Sequence, residues 1–339
     1  MDIRITLQQA FDLFILDRTA TCAEKTVKYY RENLQTFMNY IETQLERKAS
    51  EIYFDEINII LLNQYTLFLR TKTKFLGHPF FESIEQQDNK DNRLSNNSIR
   101  TYQRSVKVFF NYIYDCNYVD SNAASRYRYV KAAKKEKLPL DASEVKRIDD
   151  LFNASCVTGL RNLCIIHLML DAGLRLGEVK RLKIKDVLID KGLLFIEDSK
   201  GNKSRYVPVG SKLKAYLYKY MVLYRNVSVN QLGVLDINKY KQDYLFLHIR
   251  NNEPITDNVI KQMFQKLKKR ADIPRLHPHL CRHTFATSYI LQGGDLESLR
   301  IYMGHEDIAT TQKYLHLANS CMYLNNDIYK IDKIFFKRL

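Results

Sequence analysis

The chain has 339 residues, enough for two domains of ordinary size, and 45% of them are hydrophobic, which excludes a disordered chain. Lysine and arginine number 53 against 38 acidic residues, a net charge of +15. That balance fits a polyanionic partner or simply a basic soluble protein, and charge alone does not separate the two. Residues 1–137 carry 21 basic and 17 acidic side chains against 32 and 21 in residues 138–339, so the second part is the stronger electrostatic candidate. The longest apolar runs, such as Leu163 to Leu170, are interrupted by His167 and are too short to span a bilayer. Met1-Asp2-Ile3-Arg4 does not begin a charged-then-apolar leader. Cys22, Cys116, Cys156, Cys164, Cys281 and Cys321 form no CxxC pair and no zinc-finger spacing. The expectation is a cytoplasmic protein with free thiols, no metal and no membrane partner.

The first part reads as helices. Thr6 with Gln9 forms a capping box, and Leu7, Ala10, Phe11, Phe14 and Ile15 make one apolar face. A second helix runs from about Glu24 to Glu42 and a third from about Ile57 to Thr71. The polar stretch Glu82 to Asn97 reads as a loop, and a fourth helix follows from about Ser98 to Cys116. Arg100, Arg104 and Lys107 share one face of that helix, as Lys25, Lys28 and Arg31 do on the second. Each stripe is a candidate for lying along a nucleic-acid backbone, or else a solvated face. Lys131, Lys134 and Lys135 lie in a short basic linker, residues 131–140, that ends in Pro139-Leu140.

Asp141 with Glu144 begins a new helix in the capping pattern. An apolar helix from Asn162 to Ala172 ends at Gly173. Short strands over Leu193 to Ile196 and Arg205 to Val209 flank a Lys200-Gly201-Asn202-Lys203 turn, with a third strand over Tyr244 to Ile249. Helices then dominate: about Asp257 to Arg270, His279 to Gln292, Asp295 to Met303 and Ala309 to Leu317. The fold class is therefore mostly α with a small antiparallel sheet. The tail 318–339 holds Met322, Ile328, Ile331, Phe335 and Phe336, apolar enough to dock on its own domain or on a neighbouring copy.

The chemistry-bearing residues cluster late. Cleaving a phosphodiester without a metal needs charge stabilisation on the non-bridging oxygens, a deprotonated nucleophile and a protonated leaving oxygen. Arg175 and Arg282 offer planar forks for phosphate, Tyr314 can attack, and Lys200 can protonate the leaving oxygen. His279 precedes Arg282 by one helical turn and can act as base or hydrogen-bond partner at the phosphate, and His305 can hydrogen-bond a phosphate oxygen. Glu178, one turn after Arg175, reads as a group that orients a guanidinium or a histidine, and His283 as packing or orienting. Taken singly, each has an ordinary structural explanation, and Lys203 competes with Lys200 for the same role. Cys281 reads as a small buried residue and His316 as structural.

In this order and at this spacing the residues resemble the signature of the tyrosine recombinases (the phage-integrase family). The pattern runs Gly173-Leu174-Arg175 with Glu178, then Lys200, then His279 with Arg282, then Gly304-His305, then Tyr314 nine residues after His305. Gly177 and Met303 are small departures beside functional positions. The resemblance implies a helical, SAM-like core-binding domain over 1–130 and a catalytic domain over 141–317. It further implies strand exchange through a 3′-phosphotyrosine and a Holliday junction, without cofactor. Double-stranded recombination sites, a homotetramer in synapsis and accessory DNA-bending or directionality factors would be the partners. The long polar loop favours an integrase of a mobile element, with a chromosome-dimer-resolving or inversion recombinase as the alternative. A topoisomerase of the same chemistry and a non-cleaving DNA-binding protein of the same fold are more distant readings. A metal-dependent nuclease is disfavoured because no carboxylate cluster suits Mg²⁺.

Overall fold

A computed structural model describes residues 4–72, 93–132, 138–197, 204–229, 235–237, 243–249, 251–323 and 328–332. The chain divides into two compact units, Met1–Lys135 and Glu136–Leu339. Most of the polar stretch from Glu82, together with Lys134, Lys135, Lys200 and Lys203, lies outside the described residues.

Among the described residues the first unit holds the α-helices α1 (Leu7–Thr21), α2 (Glu24–Leu45), α3 (Ile59–Thr71) and α4 (Asn96–Asp115). Their starts follow local chemistry. Thr6 and Gln9 close a reciprocal capping box on α1, Asn58 caps α3 and Ser95 caps α4. The core between them is aromatic: Phe14 meets Phe109 edge-on at 5.4 Å, and Phe37 meets Tyr65 at 5.0 Å. The buried Gln103 amide donates to Thr66 and to the carbonyl of Arg128, and its oxygen accepts from the amide of Val130. That one side chain fastens the segment after α4 against the bundle.

The second unit surrounds α6 (Val157–Leu170), which is buried along most of its length, Arg161 and His167 included. α5 (Ala142–Asp150) precedes it, opened by the expected Asp141–Glu144 box. α7 (Leu176–Arg181) follows Gly173, which stands at φ +64 and whose added Cβ would lie 2.4 Å from the Phe285 ring. The sheet has three antiparallel strands in the order β1 (Val187–Leu188), β2 (Leu193–Ile196) and β3 (Arg205–Pro208), with Leu194 opposite Val207. α8 (Ser211–Tyr224), α9 (Asp257–Arg270), α10 (Pro278–Leu291), α11 (Leu296–Met303) and α12 (Ala309–Tyr323) complete the unit.

The structure corrects three expectations. The helix expected over Asn162 to Ala172 runs from Val157 to Leu170, started by the cap at Cys156. Tyr244 to Ile249 is not the third strand; Tyr244 and Leu247 each make only an isolated bridge, to Lys183 and Pro254, and Val187–Leu188 takes that place in the sheet. α12 does not stop at Leu317 but runs on to Tyr323. Beyond it, residues 328–332 lie along their own domain. Ile328 bridges Asp141, the Tyr329 amide donates to Leu140, and Asp332 accepts from the Ser211 amide and hydroxyl.

Candidate active site

His167 shows how this unit manages buried charge. It is fully buried in α6, with Nδ1 2.7 Å from Asp171 and Nε2 2.8 Å from Asp149. Burial pushes its pKa down, but the two carboxylates outweigh that and raise it to about 9. Lys212 donates to the same Asp149, and the Tyr329 hydroxyl to the same Asp171.

A second, denser cluster forms where α7, β3 and the C-terminal end of α11 meet. At its centre Glu178 is 9% exposed. Its oxygens accept the Arg175 amide at 2.7 Å and Arg175 Nη1 at 2.9 Å. They also accept both terminal nitrogens of Arg205, at 3.1 and 2.9 Å, a fork-on-fork pair. Arg282 Nη1 stands 3.9 Å away. Burial raises the Glu178 pKa, but the Arg205 hydrogen bonds lead the influences that hold it below the usual carboxylate range.

The same arginines also grip main chain. With Arg300, they bind four successive carbonyls at the C-terminal end of α11: Tyr302 through Arg205 Nε at 2.8 Å, Met303 through Arg282, Gly304 through Arg175 at 2.7 Å and His305 through Arg300 at 3.0 Å. These carbonyls are the orphan acceptors at a helix C-terminus, where the macrodipole also favours cations. Gly304 permits this crowding. It sits at φ +59, and a Cβ there would stand 2.8 Å from Arg205 Nη1 and 3.3 Å from Arg175 Nη1. Arg282 is further bound to the carbonyl of Gly173. Burial, then the charge of Arg175, pushes Arg282 down to about 9, so it remains a cation at neutral pH.

His305 and Tyr314 lie beside these cations. The His305 ring places Nε2 3.2 Å from Arg282 Nη2 and Nδ1 2.8 Å from Thr311 Oγ1. An arginine only donates, so Nε2 accepts and the proton sits on Nδ1, facing Thr311. Burial and then the charges of Arg282 and Arg175 push its pKa down to about 3, which keeps the imidazole neutral. Tyr314 is 3% exposed. Its ring is nearly parallel to that of His305 at 6.4 Å and lies 5.2 Å from that of His283. Burial drives the phenol up to about 12, while Arg282 and Arg175 pull it down.

The structure therefore brings together Arg175, Glu178, Arg282, His283, His305 and Tyr314. His279 is exposed on the first turn of α10, whose N-cap is His277 and whose first residue is Pro278. Cys281 is buried and its thiol is pushed up by that burial, whereas His316 is exposed. Sequence reasoning missed Arg205. Its signal was present: in β3 it alternates inward with the buried Val207, around the exposed Tyr206. Among the described residues, no three His, Cys, Asp or Glu side chains converge as metal ligands.

In the first unit, Lys25, Lys28 and Arg31 are exposed on α2, with Lys28 3.8 Å from Glu32. Arg104 is exposed on α4, while Arg100 and Lys107 are half-buried and place their cations 5.7 and 5.5 Å from the Tyr129 ring. Lys107 also donates to the Tyr127 carbonyl, and Lys131 is exposed. No helix among the described residues is long and apolar enough to cross a membrane.

Two family models match the chain. One, described as the phage integrase family, covers residues 139–320, and the other, the phage integrase SAM-like domain, covers residues 6–129. The chain is 25% identical to a tyrosine recombinase XerC of Oceanobacillus iheyensis over 86% of each chain. It superposes on the Tn1549 transposon integrase in complex with a circular intermediate DNA with a TM-score of 0.68 and 18% identity, covering 94% of this chain and 99% of that one. It superposes on the XerH site-specific recombinase bound to palindromic difH substrate with a TM-score of 0.64 and 18% identity, covering 96% and 90%. Both likenesses concern the fold.

Proposed function

The chain belongs to the phage integrase family, and from that membership we propose a division of labour for its site: Tyr314 is the nucleophile, and Arg175 and Arg282 hold the scissile phosphate. The observation that carries this reading is Tyr314 buried beside His305, with the charges of Arg282 and Arg175 acting on its phenol. The tyrosine hydroxyl gives its proton to solvent, its oxygen attacks phosphorus, the bond to the 5′ oxygen breaks, and the DNA 3′ end is held as a phosphotyrosine. Lys200 supplies the proton to the leaving oxygen. Rejoining reverses the step with the 5′ hydroxyl of the partner strand, so the energy of the bond is retained throughout and no nucleotide is consumed.

His305 donates to a non-bridging oxygen only after its proton moves to Nε2. A phosphate that draws Arg282 towards itself frees Nε2 for that change. His279, one turn before Arg282, meets the phosphate from the solvent side. Glu178 holds the arginines in place and takes no part in proton transfer. In the first unit, taken as a core-binding domain, Lys25, Lys28, Arg31, Arg100, Arg104, Lys107, Lys131, Lys134 and Lys135 contact the DNA backbone. Four copies around two duplexes complete the reaction. The polar stretch at 82–97 supports service to a mobile element, and the sequence likeness to XerC proteins supports chromosome-dimer resolution as the second reading.

Covalent capture tests the chemistry. Nicked duplexes tiled across the DNA flanking the gene are incubated with wild type and Tyr314→Phe, and SDS-resistant protein–DNA bands are counted. A band with wild type and none with the variant is expected. A band that survives in Tyr314→Phe places the nucleophile elsewhere, and footprinted DNA with no band from wild type points to a binding protein that does not cleave.

A further inference from the structure

Lys313, the residue preceding the proposed nucleophile, is exposed, yet its ammonium lies against the site. Lys313 Nζ stands over the Tyr314 ring, 5.2 Å from its centroid. Adjacent residues on a helix project about 100° apart, so the lysine must fold its stem back across its neighbour to reach that position. Two electrostatic effects agree with that position at the edge of the site. Lys313 is held below the usual lysine range by burial and then by Arg282, and its charge is among those that keep His305 neutral.

We propose that Lys313 is a positioning residue for the nucleophile, its ammonium held over the face of the Tyr314 ring to favour the negative charge that spreads into the ring as the hydroxyl proton leaves. The inference rests on Tyr314 being the nucleophile. A phenol ring attracts a cation through its quadrupole, and a phenolate attracts it more strongly because its charge is delocalised onto ring carbons. Lys313 therefore stabilises the ionised form over the neutral one. It opposes the burial that drives this phenol up to about 12. As a cation it takes no proton itself; the proton passes to solvent. Arg175 and Arg282 must serve both phosphate and tyrosine, whereas Lys313 is placed to act on the ring.

The test is the pH dependence of covalent capture, measured as a single-turnover rate on the nicked duplex that wild type captures. Wild type, Lys313→Gln, Lys313→Arg and Tyr314→Phe are compared, with gel-shift affinities for the same duplex. Lys313→Gln is expected to react about tenfold more slowly at neutral pH, with the rising limb of its profile displaced upward by about one pH unit, and Lys313→Arg to keep the wild-type limb. DNA affinity stays unchanged. A Lys313→Gln profile that overlays wild type, while Tyr314→Phe captures nothing, overturns the role of Lys313 and leaves the nucleophile standing. A uniform loss at every pH with a matching loss of affinity makes Lys313 a phosphate contact instead. Capture that persists in Tyr314→Phe overturns both.

Discussion

Glu178 accepts hydrogen bonds from Arg175 and Arg205 while 9% exposed, and Arg205 itself is 8% exposed. A buried carboxylate keeps its charge only while its partners stay. Arg205→Ala is expected to lower the stability of the unit by about 3–5 kcal/mol, read from urea unfolding, because the carboxylate loses its two-pronged partner and the Tyr302 carbonyl loses a donor. Arg205→Lys recovers little, since a single ammonium cannot span both oxygens. A shift below about 1 kcal/mol for the alanine variant would assign Glu178 to the other arginines. Arg175, Arg282, His305 and Tyr314 were legible in the sequence because short motifs carry them. Arg205 was not, because half of its partners are main-chain or distant: the Tyr302 carbonyl lies 97 residues away, and residue spacing holds no trace of that.

At the level of elements, the sequence showed helix starts well. The boxes read at Thr6 and Asp141 cap the helices they precede, whereas the caps Asn58 and Ser95, which set the starts of α3 and α4, were not read from the sequence. It was less informative where burial overrides pattern. α8 has Leu213, Leu217, Tyr220 and Met221 buried at helical spacing, a signal that was present but not used. Tyr244 to Ile249 has strand composition without a ladder, and isolated bridges hold it instead. The turn that ends α11 is where one atom matters most. Gly304→Ala adds a methyl group at a positive φ and within 2.8 Å of Arg205. The expected cost is about 1–3 kcal/mol in stability, with a larger loss of covalent capture because Arg175 is displaced as well. Retained capture at wild-type rate would show that the guanidinium groups adjust freely around this turn.

At the scale of the whole molecule, stability should carry a basic-side limit set in the second unit. The folded His167 pKa, raised to about 9, lies above its ordinary 6.5. Its contribution is therefore complete below pH 6.5 and is lost as pH rises through about 9, a swing of ~3 kcal/mol. His167→Gln should flatten that fall in urea midpoints measured from pH 6 to 10. An unchanged slope would mean that the imidazole is not the titrating group. The same network reaches residues 328–332 through Tyr329 and Asp171. Removing residues 324–339 should thus lower the same transition while leaving the first unit's unfolding untouched. A loss confined to activity, with no change in unfolding, would show that the segment adds nothing to its own domain.

The run from Tyr302 to His305 is gripped through its carbonyl oxygens by four different arginines. Recognition of that kind is indifferent to side-chain identity and strict about count. Substitutions that fit the local space, such as Leu for the buried Met303, should pass nearly unnoticed. An inserted or deleted residue shifts every downstream carbonyl past its donor at once. Among natural or engineered variants of this chain, the turn should therefore keep its length together with Gly304 and His305, and drift in spelling only at Tyr302 and Met303.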